Sequence, residues 1–331
     1  MAAYTAIDDP EAYFQVKIYT GDGVAIGSGG KSITLDGDTN MQPDLVWIKV
    51  RSTTHFHVIT DSVRGATKQI YPNDAQGEGT RAEGLTAFNS DGFTLGDEAD
   101  TNQSSATYVA WCWKESATAG FDIITYTGTG SSADVSHNLS AVPETIFTKR
   151  RNDTQDWFVY TTTTGSGKAL FLDTTSAIST QANAYDATPT TSVINYGNDN
   201  AVNGSDDTYV AYVWRSVQGF SKFGSYKGNA NANGTFVHVG FRPAFVLLKN
   251  STGANGWEMR DNKRPGYNLS SGTLAPSSSD AETTGEGIDI FSNGFKLRAS
   301  GNGQNGDNTY MYMAFAEAPF VNSNGVPCNA R

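Results

Sequence analysis

Pro43-Asp44-Leu45-Val46-Trp47-Ile48-Lys49 is a short stretch that returns twice more in the chain, each time 100 residues further on. The later copies are Pro143-Glu144-Thr145-Ile146-Phe147-Thr148-Lys149 and Pro243-Ala244-Phe245-Val246-Leu247-Leu248-Lys249. Each copy is an apolar run that begins after a proline and ends at a lysine, which is typical of a buried strand between two loops. The lysine is interpreted as a structural residue whose amine reaches the solvent where the strand ends. The sequence therefore predicts three related units in tandem.

The length of the repeat indicates that each unit builds its own core. The chain has 331 residues, which by length alone would suggest about two domains of roughly 150 residues. A repeat of 100 residues is longer than the roughly 20–50 residues of solenoid repeats. Short apolar runs separated by Gly, Ser, Thr, Asn and Asp, with almost no helical periodicity, are typical of β-sandwiches. The sequence predicts an all-β protein of three tandem, jelly-roll-like β-sandwich domains.

The repeat also gives the predicted domain boundaries. These are an N-terminal arm (1–11), unit 1 (12–114), unit 2 (115–215), unit 3 (216–318) and a C-terminal tail (319–331). The linkers at 115–119 and 216–218 are short, so neighbouring units are expected to lie nearly in contact.

Each unit closes with a strand that is apolar on both faces. In unit 1, alternation separates Val109, Trp111 and Trp113 from Tyr108, Ala110 and Cys112. The bulky face consists of Val210, Tyr212 and Trp214 in unit 2, and of Met313 and Phe315 in unit 3. A strand with two apolar faces is expected at the centre of its sheet. Its aromatic side chains are therefore predicted to be core residues rather than a ligand platform.

Charge and composition argue against nucleic acid and membranes as partners. The chain has 34 acidic and 23 basic residues, a formal charge of −11, and its densest basic run is only Lys149-Arg150-Arg151. No apolar run approaches the roughly 20 residues that span a bilayer, and residues 1–10 lack the features of a Sec signal peptide. Synthesis in a cytoplasm is therefore expected, and the two cysteines, Cys112 and Cys328, imply no disulfide framework.

His55 and His57 are candidate metal ligands, because two positions apart on a predicted strand they would share one face. Their place in the repeat argues against this role. Counted from the lysine, position 57 corresponds to Trp157 and Trp257, so the other units place a large packing side chain there. No third ligand is apparent, and a half-buried structural histidine is the favoured interpretation.

Two glycine-rich segments resemble phosphate-binding loops only superficially. Residues 21–27 miss the G-x-G-x-x-G spacing and precede a strand pattern rather than a helix. Residues 165–168 end like a P-loop, but Thr162 and Ala169 stand where its first glycine and its magnesium-binding hydroxyl belong. Both segments are predicted to be hairpin loops, and no cofactor is expected.

Acidic and amide side chains in loops are the remaining candidates. Asp97/Glu98, Asp199 and Asp206/Asp207 lack the alternation of a calcium loop and are predicted to be solvated turn residues. Asn102 and Asn203 each lie six residues before a closing-strand tyrosine, and Gln304-Asn305 occupy the same loop of unit 3. An Asx-type turn is favoured there over sugar binding.

Catalysis has little support in the sequence. The four histidines, His55, His57, His137 and His238, belong to no recognisable catalytic motif. No Ser/His/Asp or Cys/His set recurs among the units. The sequence thus predicts no catalytic, cofactor-binding or metal-binding residues.

Several longer segments resemble a known family. They are residues 10–17, 61–68, 85–96 and 108–114 in unit 1, and 219–226, 240–246 and 310–317 in unit 3. These segments are similar to a repeat of tailed-bacteriophage virion proteins, especially those of marine phages. The resemblance covers nearly the whole chain and is weakest around residues 174–191.

The resemblance implies a structural component of the phage particle, of the tail-fibre type, with no established catalytic residues. The leading expectation is a non-enzymatic protein of the virion surface that contributes to host attachment through its loops. The alternatives are a capsid decoration or head-fibre protein and, with less support, a glycan depolymerase. The expected partners are further copies of the chain in a homo-oligomer such as a trimer, other virion proteins of the tail or capsid, and a host surface glycan or receptor.

Overall fold

The protein is built almost entirely from antiparallel strands. The computed structural model describes residues 4–264 and 268–328. Within these residues the α-helices are Ala99–Asn102 (α1) and Asn200–Asn203 (α2), and single 3₁₀ turns occupy Pro10–Ala12 and Ile26–Ser28. The all-β prediction is confirmed.

The strands fall into three successive sets, one for each predicted unit. In unit 1 they are β1 (Phe14–Thr20), β2 (Lys31–Thr34), β3 (Leu45–Val50), β4 (Val58–Asp61), β5 (Lys68–Gln69), β6 (Gly79–Thr80), β7 (Leu85–Asn89), β8 (Gly92–Leu95) and β9 (Thr107–Trp113). In unit 2 they are β10 (Phe121–Thr127), β11 (Ala133–Ser136), β12 (Thr145–Arg150), β13 (Phe158–Thr161), β14 (Lys168–Phe171), β15 (Ser179–Thr180), β16 (Val193–Tyr196) and β17 (Thr208–Trp214). In unit 3 they are β18 (Ser221–Lys227), β19 (Phe236–His238), β20 (Phe241–Asn250), β21 (Trp257–Asp261), β22 (Ser270–Thr273), β23 (Thr283–Phe291), β24 (Gly294–Leu297) and β25 (Thr309–Pro319).

The same four-strand order recurs in every unit. It is β1-β9-β3-β4 in unit 1, β10-β17-β12-β13 in unit 2 and β18-β25-β20-β21 in unit 3, and in unit 2 the sheet continues into β14 and β15. The closing strands β9, β17 and β25 each pair on both sides, so they are internal to their sheets, as the two apolar faces predicted. The closing strand also pairs with the repeated stretch in the same register in units 1 and 2, since Trp113 lies opposite Leu45 and Trp214 lies opposite Thr145.

A second set of strands covers one face of each four-stranded arrangement. These are β2-β8-β7 in unit 1, β11-β16 in unit 2 and β19-β24-β23-β22 in unit 3. In unit 1, Phe93 and Leu95 of β8 join Tyr108, Ala110 and Cys112 in one buried cluster. Units 2 and 3 have equivalent clusters of their own. Each unit therefore has an outer core between two layers of strands.

The opposite faces of the three four-stranded arrangements meet in one central core. It contains Val109, Trp111, Trp113, Val210, Tyr212, Trp214, Met311, Met313 and Phe315 from the closing strands. The Trp113 ring lies 6.5 Å from that of Trp214 and 5.6 Å from that of Phe315, measured between centroids. Burying one large apolar side chain contributes roughly 1.5–3 kcal/mol, so this shared core holds the units together strongly. The three units form a closed ring around it.

Buried ion pairs lie at two of the three interfaces between units. At the 1–2 interface Asp61 accepts hydrogen bonds from Arg64 Nε at 2.5 Å and from the Tyr212 hydroxyl of unit 2 at 2.6 Å. At the 3–1 interface Asp261 accepts from Arg264 Nε at 2.7 Å and from Trp111 Nε1 of unit 1 at 3.1 Å. At both interfaces the carboxylate pairs with an arginine of its own unit and accepts a hydrogen bond from an aromatic side chain of the following unit around the ring.

Among the described residues, the 2–3 interface has no such ion pair. Thr161 and Thr164 stand at the equivalent positions, and the Thr161 hydroxyl lies 3.5 Å from Met311 Sδ of unit 3. A cavity of about 20 Å³ remains beside them, lined in part by Val159 and Leu247. At this position the 2–3 interface has apolar packing where the other two interfaces have an ion pair.

The described part of the N-terminal arm packs onto unit 3. The Tyr4 hydroxyl donates to the Gly240 carbonyl at 2.7 Å, and Ile7 is buried in the central core. Asp8 Oδ1 accepts from the backbone N–H of Ser323 in the C-terminal tail at 2.6 Å. The arm and the tail therefore meet where unit 1 and unit 3 complete the ring.

We predict that the equivalent positions 61 and 161 respond differently to alanine. Asp61→Ala leaves the buried Arg64 guanidinium without its nearest carboxylate, and we expect the free energy of unfolding to fall by about 3–5 kcal/mol. Thr161→Ala removes only neutral hydrogen bonds and should cost about 1 kcal/mol. Denaturant unfolding of both variants measures the difference, and equal losses would contradict a special role for the ion pair.

Candidate functional site

The lysines at the ends of the three repeated stretches connect the units instead of reaching the solvent. All three residues are fully buried. Each amine donates to a backbone carbonyl of another unit: Lys49 to Ser279 at 3.1 Å, Lys149 to Ala75 at 2.7 Å, and Lys249 to Thr175 at 3.0 Å. The expectation of solvent-reaching amines is wrong, because the neighbouring unit covers the end of the strand. Unit 1 thus contacts unit 3, unit 2 contacts unit 1, and unit 3 contacts unit 2, so the three lysine contacts link the units in a closed ring.

Burial lowers the pKa of each of these amines to about 8. Withdrawal from water penalises the charged form, and carbonyl dipoles replace only part of the lost hydration. Nearby carboxylates oppose the shift at two sites, Asp100 and Asp280 for Lys49, and Asp173 and Asp156 for Lys149. A low-pKa lysine is a candidate for chemistry in many proteins. Here all three donate to interface carbonyls.

The tryptophans that correspond to position 57 make a second set of contacts between units. Trp157 Nε1 donates to the Tyr71 carbonyl of unit 1 at 2.9 Å, and Trp257 Nε1 donates to the Phe171 carbonyl of unit 2 at 2.8 Å. His57 is fully rather than half buried, and its Nδ1 accepts from Trp47 Nε1 at 3.0 Å. The pKa of His57 is well below its ordinary value, mainly because of burial and then because of Lys49. The ring is thus held neutral in a packing position.

His55 and His57 do not share a strand face. Strand β4 begins only at Val58, so both residues precede it. His55 Nδ1 lies 3.0 Å from Asp100 Oδ1, and its Nε2 lies 3.2 Å from Gln103 Oε1. Among the described residues, no group of three or more His, Cys, Asp and Glu side chains is arranged to hold a metal ion.

Asp97 and Asp206 are exposed, as predicted for solvated turn residues, whereas two other acidic candidates have structural partners. The Asp207 carboxylate, predicted to be solvated, pairs with Arg150 at 2.6 Å and is mostly buried. The Asp199 side chain accepts from the backbone N–H of Ala201 at the start of α2. Residues 165–167 lie in the hairpin loop between β13 and β14, as predicted, and Lys168 begins β14. Residues 21–27 do not form a hairpin, because β1 and β2 belong to different sheets.

Buried asparagines bridge two loops in every unit. Asn203 Nδ2 donates to the carbonyls of Ser131 and Gly197 at 2.6 and 2.7 Å, and its Oδ1 accepts from the Thr129 N–H at 2.8 Å. Asn102 and Asn305 make equivalent contacts in units 1 and 3. The predicted local Asx turn is replaced by a long-range bridge. Its amide atoms bond the protein's own backbone, which leaves little for a sugar to bind.

Tyrosine pairs support the same bridges. The paired rings stack with centroids 5.0–5.1 Å apart, and they are Tyr19 with Tyr108, Tyr126 with Tyr209, and Tyr226 with Tyr310. The hydroxyl of Tyr126 donates to the Val202 carbonyl, and that of Tyr209 donates to the Asn200 carbonyl. The recurrence of these tyrosines was visible in the sequence, but their pairing depends on strand register. Sequence reasoning had no signal for it.

The bridged loops lie at one end of each four-stranded arrangement, where three connections between strands come together. We call these connections the polar loops. They are residues 21–30, 51–57 and 96–106 in unit 1, 128–132, 151–157 and 197–207 in unit 2, and 228–235, 251–256 and 298–308 in unit 3. Their exposed residues are mostly Ser, Thr, Asn, Asp, Gly and Ala. Loops of this kind on a rigid frame are suited to recognition.

The bases of the polar loops are held alike in all units. A side chain just after the repeated stretch accepts from the first backbone N–H of the closing strand at 3.1 Å each time. The pairs are Ser52 with Thr107, Asn152 with Thr208, and Thr252 with Thr309. The bases of the loops are therefore fixed by the same hydrogen bond in every unit, while the sequences of the loop tips differ.

We predict that the lysines make stability depend on pH. The Lys149 pKa is about 8 in the folded protein and 10.5 in the unfolded chain, so unfolding takes up protons between these values and stability rises with pH there. Relative to Lys149→Met, the wild-type free energy of unfolding should gain up to about 1 kcal/mol per pH unit between roughly pH 8 and 9.5. Denaturant unfolding at several pH values measures this, and a constant difference would argue against a desolvated amine.

We also predict that Asn203 is essential for stability. Asn203→Ala removes three hydrogen bonds and leaves the buried Gly197 carbonyl without its partner, so we expect a loss of about 1–3 kcal/mol in the free energy of unfolding. The exposed Asn198 lies in the same loop and serves as the control, since Asn198→Ala should change stability by less than about 0.5 kcal/mol. Similar effects of the two substitutions would rule out the bridge.

Comparison with known proteins places the chain in a family. Within the described residues, no helix is long and apolar enough to cross a membrane. No curated protein matches the sequence. A family model matches residues 9–319, which include the strands of all three units. The chain therefore belongs to that family, which is described as a domain of unknown function, DUF7483.

Proposed function

We propose that the chain is a non-enzymatic structural protein of a bacteriophage particle, a tail-fibre-like surface component that contributes to host attachment. The observation that carries the proposal is the closed ring, which holds three equivalent sets of polar loops on one rigid frame. The segments that resemble phage virion repeats lie within this frame. The proposed location is the surface of the particle.

The ring geometry favours attachment because it repeats a recognition surface within one chain. Each unit anchors its loops through the same backbone contacts, while the exposed residues differ. Linking several binding surfaces raises the overall strength of binding to a surface that displays many receptors. Further copies of the chain in a homo-oligomer would extend this effect.

The buried charges support a structural rather than a catalytic role. Buried ionisable groups with shifted pKa values are where catalysis is usually sought. Here Asp61 pairs with Arg64, Asp261 pairs with Arg264, and the three interface lysines donate to carbonyls. Each of these groups has a partner in the ring that accounts for its burial.

The first test is the location of the chain on the particle. Gold-labelled antibody against the chain, viewed on purified particles by electron microscopy, should mark the tail. Label confined to the head would favour the capsid decoration or head-fibre alternative. Particles without the chain would overturn the proposal.

The second test is attachment. Purified protein should bind host cells and slow phage adsorption, and a triple variant, Ser104→Arg, Ser205→Arg and Ala232→Arg, should lose most of this effect because it blocks one polar loop per unit. The control variant, Ser90→Arg, Thr191→Arg and Ser292→Arg, adds the same charge in loops outside the polar loops and should compete normally. Equal competition by both variants would exclude the polar loops, and new reducing ends on host glycan would favour a depolymerase.

A further inference from the structure

A polar groove lies where the N-terminal arm crosses the linker between units 2 and 3. It consists of two depressions of about 430 and 400 Å³ that share Tyr4, Ser216 and Gln218 in their linings. The groove borders the beginning of β18, whereas the polar loops follow the end of that strand. It is therefore separate from the surface proposed above. Its size is in the range of pockets that hold small ligands.

Two cations line the groove without a carboxylate partner. Arg215 donates to the carbonyls of Ser216 and Ala117 at 3.2 and 2.8 Å, and the Lys222 amine donates to the His238 carbonyl at 3.0 Å. Within residues 4–264 and 268–328, neither side chain has a carboxylate within the 4.0 Å of an ion pair. This is notable in a chain with a formal charge of −11.

The one carboxylate in the lining of the larger depression is already engaged. Glu144 Oε1 accepts from the Ser216 N–H at 2.9 Å, and its Oε2 accepts from the Ser216 hydroxyl at 2.8 Å. These bonds hold Glu144 to the linker rather than to Lys222 or Arg215. The cations therefore remain available to an acidic ligand.

Comparison among the units shows that only unit 3 has a cation at the position of Lys222. By strand register it stands where unit 1 has Gln15 and unit 2 has Asp122. Gln15 donates to the carbonyls of Glu11 and Thr39, and Asp122 accepts from the Asn138 N–H at 2.6 Å. All three residues bond within their own units, since Lys222 donates to the His238 carbonyl, but only the lysine adds a positive charge. Only in unit 3 does this position supply a cation to a groove.

We propose that this groove binds an anionic sugar whose carboxylate or phosphate is held by Lys222 in the larger depression, with Arg215 in the smaller depression as a second cation along the groove. Tyr4 and Gln218 supply an aromatic wall and amide groups beside the cations, which is the mixture of apolar and polar groups that sugar hydroxyls and ring faces need. The inference rests on the proposed function in one respect, since it names the class of host glycan that an attachment protein would meet.

The test is binding of defined sugars to the full chain by isothermal titration at low salt. The probes are trigalacturonate for the carboxylate source and glucose 6-phosphate for the phosphate source, with maltotriose and glucose as neutral controls. At least one acidic probe should bind, the neutral probes should not, and affinity should fall as salt rises. Binding by one acidic probe alone identifies the anion. If neither acidic probe binds, the inference is overturned.

Matched variants locate the site. Lys222→Gln introduces the residue that unit 1 uses at this register and should weaken binding about ten-fold, whereas Lys222→Arg should retain it. Lys227→Gln removes a charge from the same strand outside the groove and should change nothing. Equal weakening by Lys222→Gln and Lys227→Gln would refute the groove. Host-cell binding without any binding of the acidic sugars refutes only this inference, whereas sugar binding without host-cell binding refutes only the attachment role.

Discussion

A sheet whose central strand is apolar on both faces has to cover both of them, and the whole molecule depends on this constraint. Each four-stranded arrangement covers one face with its own second layer of strands. The other face is covered by the equivalent faces of the other two units. No single unit can satisfy its closing strand alone, so three linked copies form a ring rather than a string of separate domains.

The polar contacts at the interfaces specify how the units are arranged more than they add to stability. Withdrawing a charge from water is costly, and a buried ion pair is often no more stabilising than an apolar replacement. The pairs of Asp61 with Arg64 and of Asp261 with Arg264 are satisfied only when a tyrosine or a tryptophan of the next unit completes them. The 2–3 interface shows that threonines suffice at this position. The lysine contacts, by contrast, are kept at all three interfaces, which explains why lysine ends every copy of the repeated stretch.

Much of the fold could be predicted from the sequence because local patterns encode it. The spacing of the repeated stretch gave three units, and the alternation from Tyr108 to Trp113 gave both the faces of the strand and its internal position. A single sequence does not reveal which surface covers an apolar face, so the core shared by the three units could not be predicted. The amine of Lys149 was assigned to solvent because its acceptor, Ala75, is distant in the sequence. For the same reason the groove gave no signal, since Tyr4, Glu144 and Lys222 meet only in the folded chain.

The contact between the N-terminal arm and the C-terminal tail decides how the molecule carries tension. Asp8 bonds Ser323, and Tyr4 bonds Gly240, so arm and tail leave the ring side by side. A pull on both would load these few bonds one after another, as in peeling, before it reached the paired strands, which resist together. The arm would thus lengthen first under load, and the pull would reach the central core only when it drew out Ile7.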